Sequence, residues 1–289
     1  MSVIDPQGTG SAITELEPDR LYALSNVLQV DDKTSWLTPA LGRYTPMNAY
    51  VLKEGGAALL VDPGITVHAD SLLSQLSAVL NPGDELNLFF SRLGEFDCVT
   101  NASHVLERFQ VDTIHAMFDA RLFLDFLPKF SPPPREGTLW HGHETVTRVI
   151  ASNDEVRVDA EGKRRCVTFT TPLRLLSTYW LYDEQTRTLF TSDAFGHVYG
   201  DSPSGPWIVD ESNDNATVEM VRRQLLRKFK WMEDANLAPL IQNLRAIFDR
   251  FDVETIAPAY GSILRGRSVV ERHVAMLDEV LESLVSDPC

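Results

Sequence analysis

The sequence predicts an α/β (α+β) fold built in layers. Two observations carry this: short strand-like runs come in clusters, and stretches of helical periodicity separate them. A third supports it: no internal repeat or low-complexity tract interrupts the pattern. With 289 residues, 44% of them hydrophobic and 23% charged, the chain can bury a full core without disulfides or structural zinc.

The elements follow in order. Residues 1–19 read as an irregular leader with turn formers, and residues 20–289 as a single domain. Residues 48–64, NAYVLKEGGAALLVDPG, read as two short strands around Gly55-Gly56, and Asp62-Pro63-Gly64 ends the second. Residues 69–80 place apolar side chains at helical spacing. LNLFFS, 86–91, is a continuous apolar run that suits a buried strand. A helix over 100–109 and a strand over 112–118 come next. Ser131-Pro132-Pro133-Pro134 is a stiff, non-helical linker. Residues 145–159 and 164–171 alternate as antiparallel strands do, and RTLFTSD, 187–193, is a strand ending at Asp193. Residues 200–215 form a loop, and helices cover about 216–232, 236–251 and 268–285. A short strand, VETIAPAYG at 253–261, lies between the last two.

Charge narrows the function classes. A net charge of −15 argues against nucleic-acid binding, which needs clustered Lys and Arg. No run of 18 apolar residues exists, so no membrane span is expected, and without a basic n-region or an apolar h-region no secretory signal is expected in the N-terminal segment. The three cysteines form no CxxC pair, which fits a reducing, cytoplasmic setting. No GxSxG elbow, GxGxxG turn or Walker A loop is present.

Four blocks in order carry a family resemblance. They are the hairpin at 48–64, SRLGEFDC at 91–98, TPLRLLSTYWLYDEQTRTLFTSDAFG at 171–196, and VETIAPAYG at 253–261. Together they resemble the metallo-β-lactamase superfamily, in its flavodiiron and oxygen-binding diiron branch. The resemblance implies a four-layer αββα sandwich. It also implies a diiron centre that reduces O₂ or NO with electrons from a fused flavodoxin domain, and a homodimer. No flavodoxin domain is expected within residues 1–289, so an iron-loaded protein is expected to need a separate electron donor.

The family's first loop reads His-x-Glu-x-Asp-His. Those places hold Leu93, Glu95, Asp97 and Cys98. The next family His falls at Arg174, the bridging Asp is Asp193, and the last His falls at Tyr260. The carboxylates are kept and the four imidazoles are gone. Leu93 offers no donor, and a guanidinium has no lone pair and stays charged. Cys98 and Tyr260 would have to lose a proton before ligating. No metal is therefore expected. The expectation is that Arg174 takes the metal's place beside Glu95, Asp97 and Asp193, with Arg92 as a second candidate. The alternatives are iron, or a single divalent metal such as Mg²⁺ or Mn²⁺ on Glu95, Asp97 and Asp193.

Other features have plainer readings. His141 and His143 share a strand face but lie outside the ligand loops. His197, in DAFGHVYG, is a pocket candidate, and Cys98 reads as a structural thiol. The helix at 216–232 carries Arg222, Arg223, Arg227, Lys228 and Lys230 opposite an apolar stripe. That face suits solvent, or docking of an acidic partner or of a second copy. The expected function is a metal-free ligand-binding, sensory or interaction module. The alternative is an altered-site oxidoreductase reacting with O₂ or NO, or a metallo-hydrolase.

Overall fold

The computed structural model describes residues 3–4, 10–31, 33–120, 138–140, 143–171, 173 and 177–286. These divide into two compact units, each drawn from several segments of the chain.

The first unit is built on a sheet of nine strands. Its order is β1 (Val3–Ile4), β2 (Ala12–Glu17), β3 (Leu21–Gln29), β4 (Tyr44–Glu54), β5 (Ala57–Val61), β6 (Glu85–Phe89), β7 (Val111–Ala116), β9 (His143–Val149) and β8 (Thr138–Trp140). The β4–β5 hairpin forms where the Gly-Gly pair predicts it. Gly55 and Gly56 have φ of 55° and 96°, which a two-residue turn matched to strand twist requires. All five residues of β5 are buried, and it pairs in parallel with β6, as β6 does with β7. Parallel neighbours need a crossover, and helices supply it. Helix Ala69–Val79 joins β5 to β6, and helices Phe96–Val99 and Ala102–Arg108 join β6 to β7. Leu72 and Leu76 of the first helix, and Val105 and Leu106 of the last, pack on Val51, Leu60 and Leu88 of the sheet. A short antiparallel pair, β10 (Glu155–Arg157) and β11 (Arg165–Thr170), also belongs to this unit.

The second unit joins β13 (Thr188–Ser192) in parallel to β15 (Thr255–Pro258). β15 continues antiparallel to β16 (Ile263–Arg265), and β14 (Ile208–Val209) lies parallel to β16. Helices Val218–Lys228, Ala238–Arg250 and Arg267–Ser286 belong to this unit. Thr217 caps the first of them, its side chain accepting from the Met220 amide.

Four sequence expectations change. The leader is not irregular throughout: residues 12–17 form β2, paired antiparallel with β3. Turn residues upstream mask a short run whose Leu16 is buried. Tyr179–Asp183 is a strand, β12, that alternation does not reveal because nearly all of it is buried. The loop at 200–215 contains β14. The helix at 216–232 stops at Lys228 and resumes as a 3₁₀ turn, Lys230–Asp234. Ser131–Pro134, His141 and Cys289 lie outside the described residues, as does the side chain of His143.

Candidate functional site

In the first unit, strand β6 delivers the loop 91–98. Arg92 is 1% exposed, and its guanidinium meets both oxygens of Asp97 at 3.1 Å. The same group reaches Glu95 Oε2 at 2.9 Å. A fork of this kind matches carboxylate geometry, and a guanidinium cannot give up its charge to relieve burial. Leu93 points into the apolar cluster of this unit.

Behind that loop sits a carboxylate that the sequence marks only as a strand end. Asp62 leaves β5 with a φ of 50° and turns its side chain onto the loop. It accepts from the Ser91 amide at 2.8 Å, from the Ser91 hydroxyl, and from Cys98 Sγ at 2.7 Å. Burial raises the Asp62 pKa, and the Arg92 charge and these hydrogen bonds oppose that only in part. Burial, followed by the Asp62 charge, pushes the Cys98 thiol well above its ordinary value. The Cys98 thiol is therefore a protonated donor, not a thiolate.

In the second unit, β13 ends at Ser192 and the chain turns through DAFG. Ser192 and Phe195 adopt φ of 55° and 63°, a conformation that costs a non-glycine residue about 1–2 kcal/mol. Gly196 makes the turn fit: a Cβ there would lie 2.4 Å from the Tyr260 carbonyl and 2.9 Å from its ring. Asp193 is buried and has Lys228 Nζ at 3.6 Å. That ammonium also lies 5.6 Å from the centre of the Tyr260 ring. The Tyr260 hydroxyl donates to the Asp193 carbonyl at 3.3 Å and accepts from Gln224 Nε2 at 3.0 Å. Gln224 Oε1 in turn accepts from Thr38 Oγ1 at 2.6 Å and from Tyr199 at 3.2 Å.

Lys228 corrects one sequence reading. It was grouped with the solvent-facing basic residues of its helix, yet its side chain is 8% exposed. Val221, Gln224, Leu225 and Lys228 follow the i, i+3, i+4, i+7 pattern of a single helix face. A Gln and a Lys inside an otherwise apolar stripe were the available signal. Arg223 and Arg227 are exposed, and Arg223 pairs with Glu219 at 2.6 Å.

His197 lines a small cavity of this unit together with Asp193, Phe195, Gln224, Leu225 and Phe229. Its Nε2 is 2.8 Å from His273 Nδ1, and His273 Nε2 is 3.2 Å from Asp214 Oδ1. Both imidazoles are almost fully buried. Burial, and then His273, lowers the His197 pKa to about 3.

These donors do not fit a diiron centre. Arg92 already satisfies Glu95 and Asp97, Lys228 stands at Asp193, and Cys98 and Tyr260 present bound protons. Among the described residues, no three His, Cys, Asp or Glu side chains gather as a metal cage. Arg174 lies outside the described residues. Among those residues, no helix is long and apolar enough to cross a membrane.

Solved structures share this fold at low identity. A flavo di-iron protein from Thermotoga maritima matches with a TM-score of 0.68 and 16% identity, over 97% of this chain and 62% of its own. Rubredoxin oxygen:oxidoreductase from Desulfovibrio gigas matches at 0.67 and 18%, over 93% of this chain and 61% of its own. This chain thus spans about three fifths of the length of either protein. A fragment of the putative diflavin flavoprotein A 5 from Nostoc is covered more fully, with a TM-score of 0.65, 16% identity, and 96% and 97% of the two chains. The two mixed sheets and their helices are accordingly those of the metallo-β-lactamase-type α/β sandwich. No curated protein matches the chain. The family description "ODP family beta lactamase" matches residues 45–261, most of the chain, and the chain belongs to that family.

Proposed function

We propose that this chain is a metal-free member of its fold family, acting as a ligand-binding, sensory or interaction module. One observation carries the reading: the buried Arg92 guanidinium occupies both oxygens of Asp97 and one of Glu95. A metal ion would have to displace a cation that cannot be neutralised, and like charges at such distances repel strongly. Lys228 supports the reading from the second unit, where it provides the countercharge for Asp193. In this reading protein cations do the work that metal ions would otherwise do.

A second reading draws on the named relatives. Flavo di-iron proteins and an oxygen:oxidoreductase share the fold, which favours an iron-bearing oxidoreductase with an altered site. Metal analysis of protein purified without chelators separates the two. Less than a tenth of an equivalent of iron, zinc or manganese is expected. Stoichiometric metal would sink the first reading. Restoring His at positions 93, 98, 174 and 260 is expected to recover metal binding only if Arg92 is also replaced.

A further inference from the structure

We propose that Asp214, in a surface loop, sets the hydrogen-bonding polarity of His197 in the interior, acting through His273 as a two-ring tautomer relay. The relay is a regulatory device of the second unit. It goes beyond the metal-free reading and does not depend on it.

Residues 210–213 and Asn215 are exposed, and Asp214 between them turns its side chain inward. Its Oδ1 accepts from the Ala216 amide at 3.1 Å, and its Oδ2 pairs with Arg272, a half-exposed side chain of the last helix. Burial raises the Asp214 pKa, but that amide together with His273 and Arg272 outweighs the effect and holds it low. Asp214 is therefore a carboxylate and can only accept. His273 Nε2 stands 3.2 Å from Asp214 Oδ1, so it carries the hydrogen of that contact. Burial lowers the pKa of both rings, so each is neutral and has one hydrogen. His273 Nδ1 is then an acceptor, and His197 Nε2, 2.8 Å away, is its donor. The two rings stack with centroids 4.9 Å apart. One carboxylate thus fixes the hydrogen of a ring that it does not touch.

At the inner end, His197 Nδ1 is left as a bare lone pair on a ring that lines the cavity beside Asp193. That cavity, about 20 Å³, has room for one water. A water donates as readily as it accepts, so the cavity does not choose the tautomer, and Asp214 does. Withdrawal of Asp214 with its loop removes the choice. His273 can then carry its hydrogen on Nδ1, His197 Nε2 accepts it, and His197 Nδ1 becomes a donor. The protons balance. The His197 Nε2 hydrogen passes to His273 Nδ1, the His273 Nε2 hydrogen goes to solvent, and His197 Nδ1 takes one from the cavity water, which solvent replaces. Both rings are neutral before and after, so burial, which opposes an imidazolium, does not distinguish the two states. Displacement of an exposed loop is thereby read in the interior as a reversal from acceptor to donor.

The test is the ¹⁵N spectrum of the imidazoles in the whole chain, labelled at histidine, at neutral pH. In the parent protein His197 and His273 are both expected to carry hydrogen on Nε2 and none on Nδ1. This measurement needs no substitution. Asp214→Ala is expected to bring the Nδ1–H form of His197 to roughly a quarter or more of the population, while His68 and His115 keep their parent spectra. Asp214→Asn should restore the parent tautomer, because the Ala216 amide keeps the amide oxygen of Asn turned toward His273. A loss of packing alone would not be repaired at His197 by an acceptor oxygen two rings away. A hydrogen on His197 Nδ1 in the parent, an unchanged His197 tautomer in Asp214→Ala, or an Asp214→Asn spectrum matching that of Asp214→Ala would each overturn the relay.

Discussion

The guanidinium of Arg92 meets both carboxylate oxygens of Asp97 at 3.1 Å while only 1% exposed. Removing it leaves two acids of one loop without their shared cation. Arg92→Ala is expected to cost about 3–5 kcal/mol, the usual penalty for breaking a buried pair. Arg92→Lys should recover part of this, because an ammonium keeps the charge but cannot fork. Urea unfolding midpoints measure both. An Arg92→Ala midpoint equal to that of the parent would remove the pair from the stability argument.

Lys228 and Asp193 form the corresponding relationship in the second unit, at 3.6 Å. Lys228→Met removes the ammonium beside a buried carboxylate and is expected to cost about 2–4 kcal/mol. Asp193→Asn removes the charge on the other side of the same pair. The double variant should be more stable than the two single losses predict, by a coupling of about 1–3 kcal/mol. Strict additivity of the three midpoints would mean that the two side chains do not depend on each other.

The difference between these two residues shows what was legible in the sequence. Arg92 adjoins the ligand loop, so its neighbours in sequence are its partners in space. Lys228 lies 35 positions from Asp193, and only the helical face it shares with Gln224 hints at its direction. Leu93 lies in the apolar cluster, as an apolar side chain after a buried strand should. Asp62 reads as a turn residue, since Asp-Pro-Gly fits a strand end whether or not the carboxylate is used. Strand β6 was legible as a continuous apolar run, whereas β12 was hidden by its burial. The His197–His273–Asp214 chain was not legible at all: its members stand 17 and 59 residues apart, and no periodicity links them.

Gly196 and Gly261 pack backbone against backbone, with a Gly261 Cβ position only 2.8 Å from Gly196 Cα. Gly261 also has a φ of 85°. Gly196→Ala would drive a methyl group into the Tyr260 carbonyl and ring, and overpacking of this kind costs about 1–3 kcal/mol. Because Tyr260 also contacts Gln224, the same substitution should disturb the His197 cavity. A calorimetric unfolding temperature lowered by several degrees is the expected result. An unchanged temperature would mean that the loop yields without strain.

Buried histidines set the acid response. Burial lowers the pKa of His68 and of His115 to about 4 and that of His197 to about 3, and His273 is lowered as well. Each folded value lies below the unfolded value of about 6.5. Below that pH the unfolded chain binds protons that the folded chain refuses, so stability falls as the pH drops. Above about 6.5 both states are neutral at these sites, and the effect vanishes. His68, His115 and His197 should each cost about 1–2 kcal/mol between pH 7 and pH 5, and His273 acts in the same direction. Asp62 works in the opposite sense, since its raised pKa lets the folded state take up a proton first. Its window lies between the ordinary carboxylate range and its raised value, and four lowered imidazoles stand against this one carboxyl. Urea midpoints at pH 5, 6 and 7 should fall progressively toward acid, and His197→Phe should flatten the slope if its ring fits the same space. Equal midpoints at pH 5 and pH 7 would mean that these imidazoles accept protons in the folded protein, and that the neutral tautomers assigned to His197 and His273 do not hold.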